Sequence, residues 1–170
     1  VVVSNPSHGT LMEHNTMSGE TVNMTYTPNV NYNGSDSFTF KVSDGTLDSD
    51  AATVTITVTT VNDKPVATAQ TVSTDEDVAK AITLSGIDVD EDPLTYTVVT
   101  QPTKGSLSGD APALTYTPTG HYHGSDSFTF KVSDGTIDSV AATVSITVNS
   151  VNDKPVAAAQ AISTDEDTDK

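Results

Sequence analysis

The sequence contains no cysteine, no tryptophan and no arginine. Without Cys, no disulfide framework can compensate for a thin core, so something else must stiffen the chain. Without Arg, all seven basic residues are Lys; they stand against 23 Asp and Glu and leave a net charge of -16 and a pI near 4.1. A surface of that sign repels nucleic acid and anionic membranes. Helix signals are absent, and no run approaches the roughly 18 consecutive apolar residues of a membrane span. Hydrophobic residues make up only 35% of the 170, yet they are gathered in alternating runs, which argues against general disorder. Neither end reads as a signal peptide or sorting tail. The opening "VVVSNP" has no Met, and the chain is expected to be a window from a longer protein.

What the sequence does contain is a repeat. "YTPNVNYNGSDSFTFKVSDGTLDS" at 26 returns as "YTPTGHYHGSDSFTFKVSDGTIDS" at 116, an offset of 90 residues; "VNDKPVA" at 61 and "STDED" at 73 return with the same offset at 151 and 163. "NPSHGTL" at 5 matches "QPTKGSL" at 101, the shift of 96 reflecting a longer hairpin at 12–25 in the first copy. Three segments follow: 1–60 as the later part of one repeat, 61–150 as a complete repeat, and 151–170 as the start of the next. Because 1–60 lacks the opening strands of its repeat, it is expected to fold properly only within a longer chain or a filament.

Period-2 alternation marks the strands. Ala142, Val144, Ile146 and Val148 share one face, and so do Phe128, Phe130 and Val132, Leu114 and Tyr116, and Leu94, Tyr96 and Val98. Lys131 faces the other way. With "ATAQTVS", "KAITLSG" and "GSLSG" this gives about seven short antiparallel strands, separated by turn signals at His123-Gly124, Asp134-Gly135 and Gly109-Asp110. The fold class is therefore all-β, a series of Greek-key sandwiches of immunoglobulin-like type. Tyr26 and Tyr116 read as core aromatics.

Carboxylates crowd the loops and strand ends: Asp88, Asp90, Glu91 and Asp92 in "IDVDEDP", Asp75, Glu76 and Asp77 in "TDED", and Asp63, Asp134 and Asp138 singly. Like charges so close repel unless a cation neutralises them, and Asp-x-Asp oxygens suit Ca²⁺, which takes six to eight hard oxygen ligands. The alternative is a solvated acidic surface that keeps the chain soluble. His121 and His123 at i and i+2 could share a strand face as a zinc site requires. Asn31 and Asn33 occupy the equivalent positions, however, and both residue types tolerate the left-handed backbone of a turn. The outward phase of Lys41 and Lys131 removes them from the sheltered core that an isopeptide crosslink needs. No phosphate loop or nucleophile-base spacing is evident, and catalysis is not expected.

"KVSDGTIDSVAATVSITVNSVNDKP" and "GIDVDEDPLTYTV" resemble cadherin repeats, with their Asp-Gly turn, alternating last strand, Asp/Asn-rich linker and Asp-x-Asp loop. The whole chain is similar to the cadherin-like and Ig-like tandem repeats of large bacterial surface proteins and adhesins. This resemblance implies a calcium site made by Asn62 and Asp63 of the linker, Asp88 and Asp90 of the loop, and Asp134 of the turn. Further candidates are Asp44, Asp92, Glu76, Asn152 and Asp153, with Glu76 placed at the opposite pole near Asn152 and Asp153. The linker carries Thr60 or Ser150 and Lys64 or Lys154 where the family motif has further oxygen ligands, so one or two ions per junction are implied. The functional expectation is a calcium-stiffened extracellular extender that holds a distal module away from the cell and contacts neighbouring repeats. The alternatives are a carbohydrate-binding module, for which only Tyr32 and Tyr122 stand outside the strand cores, and homophilic contact between copies. Neither nucleic acid nor membrane insertion is expected.

Overall fold

The computed structural model describes residues 1–14 and 22–166. It divides into two compact units, Val1–Lys64 with Val89–Glu91, and Pro65–Asp88 with Asp92–Lys170.

The first unit contains β1 (Val2–Ser4), β2 (Gly9–His14), β3 (Asn23–Pro28), β4 (Gly34–Phe40) and β5 (Ala52–Val58). β1, β4 and β5 form one antiparallel sheet in that order, and β2 and β3 form a hairpin. The tip of the long hairpin expected at 12–25 falls on 15–21, outside the described residues.

The second unit contains β6 (Val66–Ala67), β7 (Gln70–Asp75), β8 (Lys80–Thr83), β9 (Gly86–Ile87), β10 (Thr95–Thr100), β11 (Gly105–Ser108), β12 (Ala113–Pro118), β13 (Gly124–Ser133) and β14 (Ala142–Asn149). One sheet runs β10-β13-β14-β7, the other β11-β12-β8, and β6 pairs with β9. Seven of these strands have four residues or more, as the alternation implies. One pair departs from the expected antiparallel pattern: β7 runs parallel to β14, from Val144 opposite Gln70 to Asn149 opposite Asp75. The opening strand is in two pieces, β6 pairing with β9 and β7 with β14. The chain thus changes partner between Ala67 and Gln70, a path that strand periodicity does not encode.

Alternation predicts the core of this unit. Phe128, Phe130, Val132, Tyr116, Val144, Ile146 and Val148 are buried together with Ile82, Leu84 and Leu114. Gly105 is required by close approach, because a Cβ there would lie 2.6 Å from Thr117 O and press on the Tyr116 ring. Residues 150–165 form no strand, although they repeat the sequence of β6 and β7.

One buried network escaped the sequence reading. Asp126, only 9% exposed, accepts N–H bonds from Thr103 (3.0 Å), Lys104 (2.9 Å) and Ser127 (2.9 Å) and the Tyr116 hydroxyl at 2.9 Å. The first unit repeats it: Asp36 accepts from Ser7 N, His8 N, Ser37 N and the Tyr26 hydroxyl. Burial alone would raise the Asp36 carboxyl, but the backbone donors and the hydroxyl outweigh it and pull the pKa down to about 2. Asp126 is lowered by the same balance. Burial, followed by the hydrogen bond and charge of Asp36, pushes Tyr26 up to about 12, and Tyr116 rises for the corresponding reasons. These tyrosines are therefore core aromatics that also anchor a carboxylate, which in turn ties the turn before β2 or β11 to the sheet.

The two copies differ in cover. Ala142, Val144, Ile146 and Val148 of β14 are all buried, whereas Val54, Ile56 and Val58 of β5 are half-buried and Ala52 is exposed. Val132 is 0% exposed and its equivalent Val42 is 62% exposed. β7 flanks the outer edge of β14; among the described residues no strand flanks the corresponding edge of β5.

Candidate metal centre

Register fixes which loops meet in the second unit. Thr95 stands opposite Ser133, so the acidic loop before β10 and the turn after β13 lie at one end of the sheet. Gly124 stands opposite Val148 and Asn149 opposite Asp75, which brings the β12–β13 turn, the end of β7 and the linker after β14 to the other end.

In the acidic loop, Asp88, Asp90 and Asp92 present carboxylate oxygens within 4.8 Å of one another. Three oxygens at that spacing fit around one ion with bonds of 2.3–2.6 Å, and an all-oxygen donor set is what calcium selects. Asp88 Oδ1 also accepts the Asp92 N–H at 3.4 Å, and the Asp88 Oδ2 atom is withdrawn from solvent. Asp90 Oδ2 receives the Asp63 N–H at 2.6 Å. What the linker brings to Asp90 here is main chain; the Asn62 side-chain amide donates to Asp63 O at 3.2 Å. Asp134 does something else. Its Oδ1 accepts the N–H groups of Thr136 and Ile137, both at 2.6 Å, inside the turn closed by the Ser133–Asp138 bridge. Among the described residues it does not join the group around Asp88. Asp44 is placed identically, accepting from Thr46 and Leu47 N–H, and those donors lower its pKa. Asp92, a secondary candidate from sequence, is thus gathered with Asp88 and Asp90, while Asp134 shapes its own turn.

At the other end, Glu76, Asp77 and His121 form a second group of side chains with ligand atoms within 4.8 Å of one another. Glu76 is 7% exposed, and its Oε1 accepts the Val151 N–H at 2.6 Å. Asp77 Oδ1 accepts the His121 N–H at 3.0 Å. His121 Nδ1 lies 3.1 Å from Asp153 Oδ2 and 3.5 Å from Asp77 Oδ2. Glu76 therefore meets the linker near Asn152 and Asp153, as the resemblance implies; the Asn152 side-chain amide donates to Asp153 O at 3.3 Å. The imidazole makes this a mixed nitrogen and oxygen set, which matches calcium less well than the oxygen-only loop. Sequence reasoning left His121 out of this group because Asn31 replaces it in the first copy.

The His-Tyr-His run is a turn. His121 has φ +56° and Asn31 φ +60°, and Tyr122 N–H returns to Thr119 O at 3.0 Å. The left-handed residue is His121, two positions before the one next to Gly124. Among the described residues His123 joins no group of potential metal ligands. Lys131 forms an ion pair with Asp138 at the sheet surface. Tyr32 stacks on His8 with centroids 4.2 Å apart and rings 5° from parallel, and Lys104 Nζ sits 5.8 Å above the Tyr122 ring. Among the described residues no helix is long and apolar enough to cross a membrane.

Comparison with solved structures returns an all-β fold of the same kind. Human mucin-like protocadherin, domains EC1-2, matches with a TM-score of 0.50 and 21% identity, over 86% of this chain and 87% of that one. Two further likenesses are an endo-fucoidan hydrolase of glycoside hydrolase family 107 (TM-score 0.43, 29% identity, 89% of this chain) and the protocadherin γB4 extracellular domain (TM-score 0.45, 21% identity, 85% of this chain). The chain spans about a quarter of the length of each, 24% and 25%. None of the curated proteins compared matches it. The family model of the bacterial Ig domain matches residues 1–57 and 62–147. Matched over most of its length in this way, the chain belongs to the bacterial Ig domain family.

Proposed function

We propose that the chain is part of a calcium-stiffened tandem extender of a large bacterial extracellular surface protein, an adhesin or filament, holding a distal functional module away from the cell. The observation that carries this reading is the tethering of the linker where it leaves β14. Val151 N–H is bonded to the buried Glu76, and Asp153 lies against His121. A linker held by the domain it leaves cannot swivel freely, and Pro155 restricts the backbone just beyond it. The trio Asp88, Asp90 and Asp92 supplies the oxygen-only set at the other end of the domain. Calcium there would neutralise three crowded carboxylates and tighten the loop that leads into β10.

Extracellular calcium modules bind with Kd of about 10⁻⁴ to 10⁻³ M. At tenfold excess each independent site then adds roughly 1.4 kcal/mol to the folded state, modest singly and cumulative along many repeats. A structural role also fits the surface aromatics, since Tyr32 and Tyr122 are each engaged by a neighbouring side chain and by a hydroxyl bond to Ser35 O or Ser125 O. The test is small-angle scattering and thermal melting of the 170-residue protein with calcium and with chelator. Chelation is expected to change the radius of gyration and lower the melting temperature; no change in either would refute the proposal.

A further inference from the structure

We infer that Glu76, Asp77, His121 and Asp153 form a site for a transition-metal dication, zinc being the best fit, which pins the linker to the end of the second unit. The site is separate from the oxygen-only trio proposed above for calcium. Three segments build it: the turn between β7 and β8 supplies Glu76 and Asp77, the turn between β12 and β13 supplies His121, and the linker after β14 supplies Asp153. Donor atoms of Glu76, Asp77 and His121 lie within 4.8 Å of one another. His121 Nδ1 is 3.1 Å from Asp153 Oδ2 and 3.5 Å from Asp77 Oδ2. Two ligands of one zinc ion, each bound at about 2.0–2.2 Å, stand roughly 3.0–3.6 Å apart. The nitrogen and its two carboxylate neighbours therefore already have the separations of a shared coordination sphere. Nδ1 carries at most one hydrogen and can serve only one of these carboxylates well, whereas a cation between them serves both. Charge points the same way. Three carboxylates surround an imidazole that supplies at most one positive charge, and among the described residues no lysine pairs with any of the three.

Main-chain donors hold the carboxylates in place. Asp77 Oδ1 accepts the His121 N–H at 3.0 Å, which leaves Oδ2 as the oxygen nearer the imidazole. Glu76, 7% exposed, accepts the Val151 N–H through Oε1; a carboxylate has about four acceptor sites, so capacity for an ion remains. Ligating carboxylates in metal sites are commonly supported by such outer hydrogen bonds. The donor set then selects the metal, since imidazole suits zinc and its neighbours whereas calcium takes oxygens. The first copy shows that the turn itself has no need of imidazole: Asn31 has φ +60° where His121 has φ +56°. Histidine at 121 thus adds a nitrogen ligand to a turn that asparagine also builds.

The test is calorimetric titration of the full chain with zinc, after stripping with chelator and return to buffer that holds millimolar calcium. Calcium sites are then already supplied, and failure here leaves the calcium reading, tested without zinc, untouched. His121→Asn, which keeps the turn, is expected to weaken zinc binding at least tenfold, and Asp153→Asn to weaken it as well. His123→Asn, and Asp88→Asn combined with Asp90→Asn, are expected to leave it unchanged. In heteronuclear spectra of the imidazoles, zinc should fix His121 with its hydrogen on Nε2 and the metal on Nδ1, leaving His8, His14 and His123 unmoved. Zinc should also raise the melting temperature of the parent protein and not that of His121→Asn. Absence of zinc binding, zinc binding indifferent to His121→Asn, or displacement of zinc by an equal concentration of calcium would overturn the inference.

Discussion

Replacing Tyr116 by Phe isolates the buried carboxylate network, because it deletes one hydroxyl and keeps the ring that fills the core. In the native chain that hydroxyl donates to Asp126 Oδ2 at 2.9 Å with Tyr116 wholly buried. The variant leaves Oδ2 with the Lys104 N–H alone. A hydrogen bond to a charged group contributes about 1.5–3 kcal/mol, so the second unit should lose about that much. For a domain of this size the melting temperature would fall by roughly 6–20 °C. Asp126→Ala should cost more, since it strands the N–H groups of Thr103 and Lys104 together with the hydroxyl. Calorimetry and urea unfolding of the full chain give the loss. A double-mutant cycle of Tyr116→Phe with Asp126→Asn should give a coupling of about 1 kcal/mol or more if the two side chains act as one unit. The network also sets a pH dependence. The carboxyls of Asp36 and Asp126 have lower pKa values folded than unfolded, so their stabilisation is complete above the unfolded value, about 3.9. It is lost as pH falls through the folded value, which for Asp36 is about 2. Both Tyr→Phe variants should therefore approach the parent protein in stability as pH drops from 4 towards 2. A Tyr116→Phe protein that melts with its parent at neutral pH, with a coupling near zero, would refute the reasoning.

Gly105→Ala forces a Cβ against Thr117 O and the Tyr116 ring, and should destabilise by about 1–3 kcal/mol or more, read from urea midpoints. Asp88→Asn combined with Asp90→Asn should remove the calcium-dependent rise in melting temperature while leaving the chelated value close to that of the parent. An undiminished rise would place the ion elsewhere. Ile146→Ala, at a position 1% exposed, should cost about 2–5 kcal/mol. Ile56→Ala, at the half-buried equivalent, should cost less; equal losses would contradict the difference in cover.

Much of the architecture was legible because burial on one face writes a period of two into the sequence. The inward sets Phe128, Phe130, Val132 and Val144, Ile146, Val148 are read off without reference to any neighbour. The same phase contained a signal that was passed over. Asp126 lies two residues before Phe128, on the inward face, and a carboxylate there must find donors. Two of its donors, however, are main-chain groups 22 and 23 residues upstream, and periodicity carries no information about which turn folds over a given strand. The parallel pairing of β7 was hidden for the same reason, being a property of the chain's route between sheets. At the candidate metal centre, the crowding of Asp88, Asp90 and Asp92 was visible because the three ligands are local in sequence. The meeting of Glu76 with Val151, and of His121 with Asp77 and Asp153, depends on three strand ends sharing one pole.

The near-identity of the two copies makes the chain its own control. "GSDSFTFKVSDGT" is spelled out at 34 and at 124, with the same propensities, turns and inward phase. Asp36 and Asp126 find the same four donors, and Asp44 and Asp134 close the same turn, so local and hairpin-range structure follows from these residues in either setting. The apolar face behaves differently. Val132 is sealed and Val42 is open; Ile146 is sealed and Ile56 is half-covered. Among the described residues, β7 beside β14 and β8 beside β12 have no counterpart beside β5 and β3. Hydrophobic stabilisation scales with the apolar area removed from water, so equivalent residues contribute less where they are half-covered than where they are sealed.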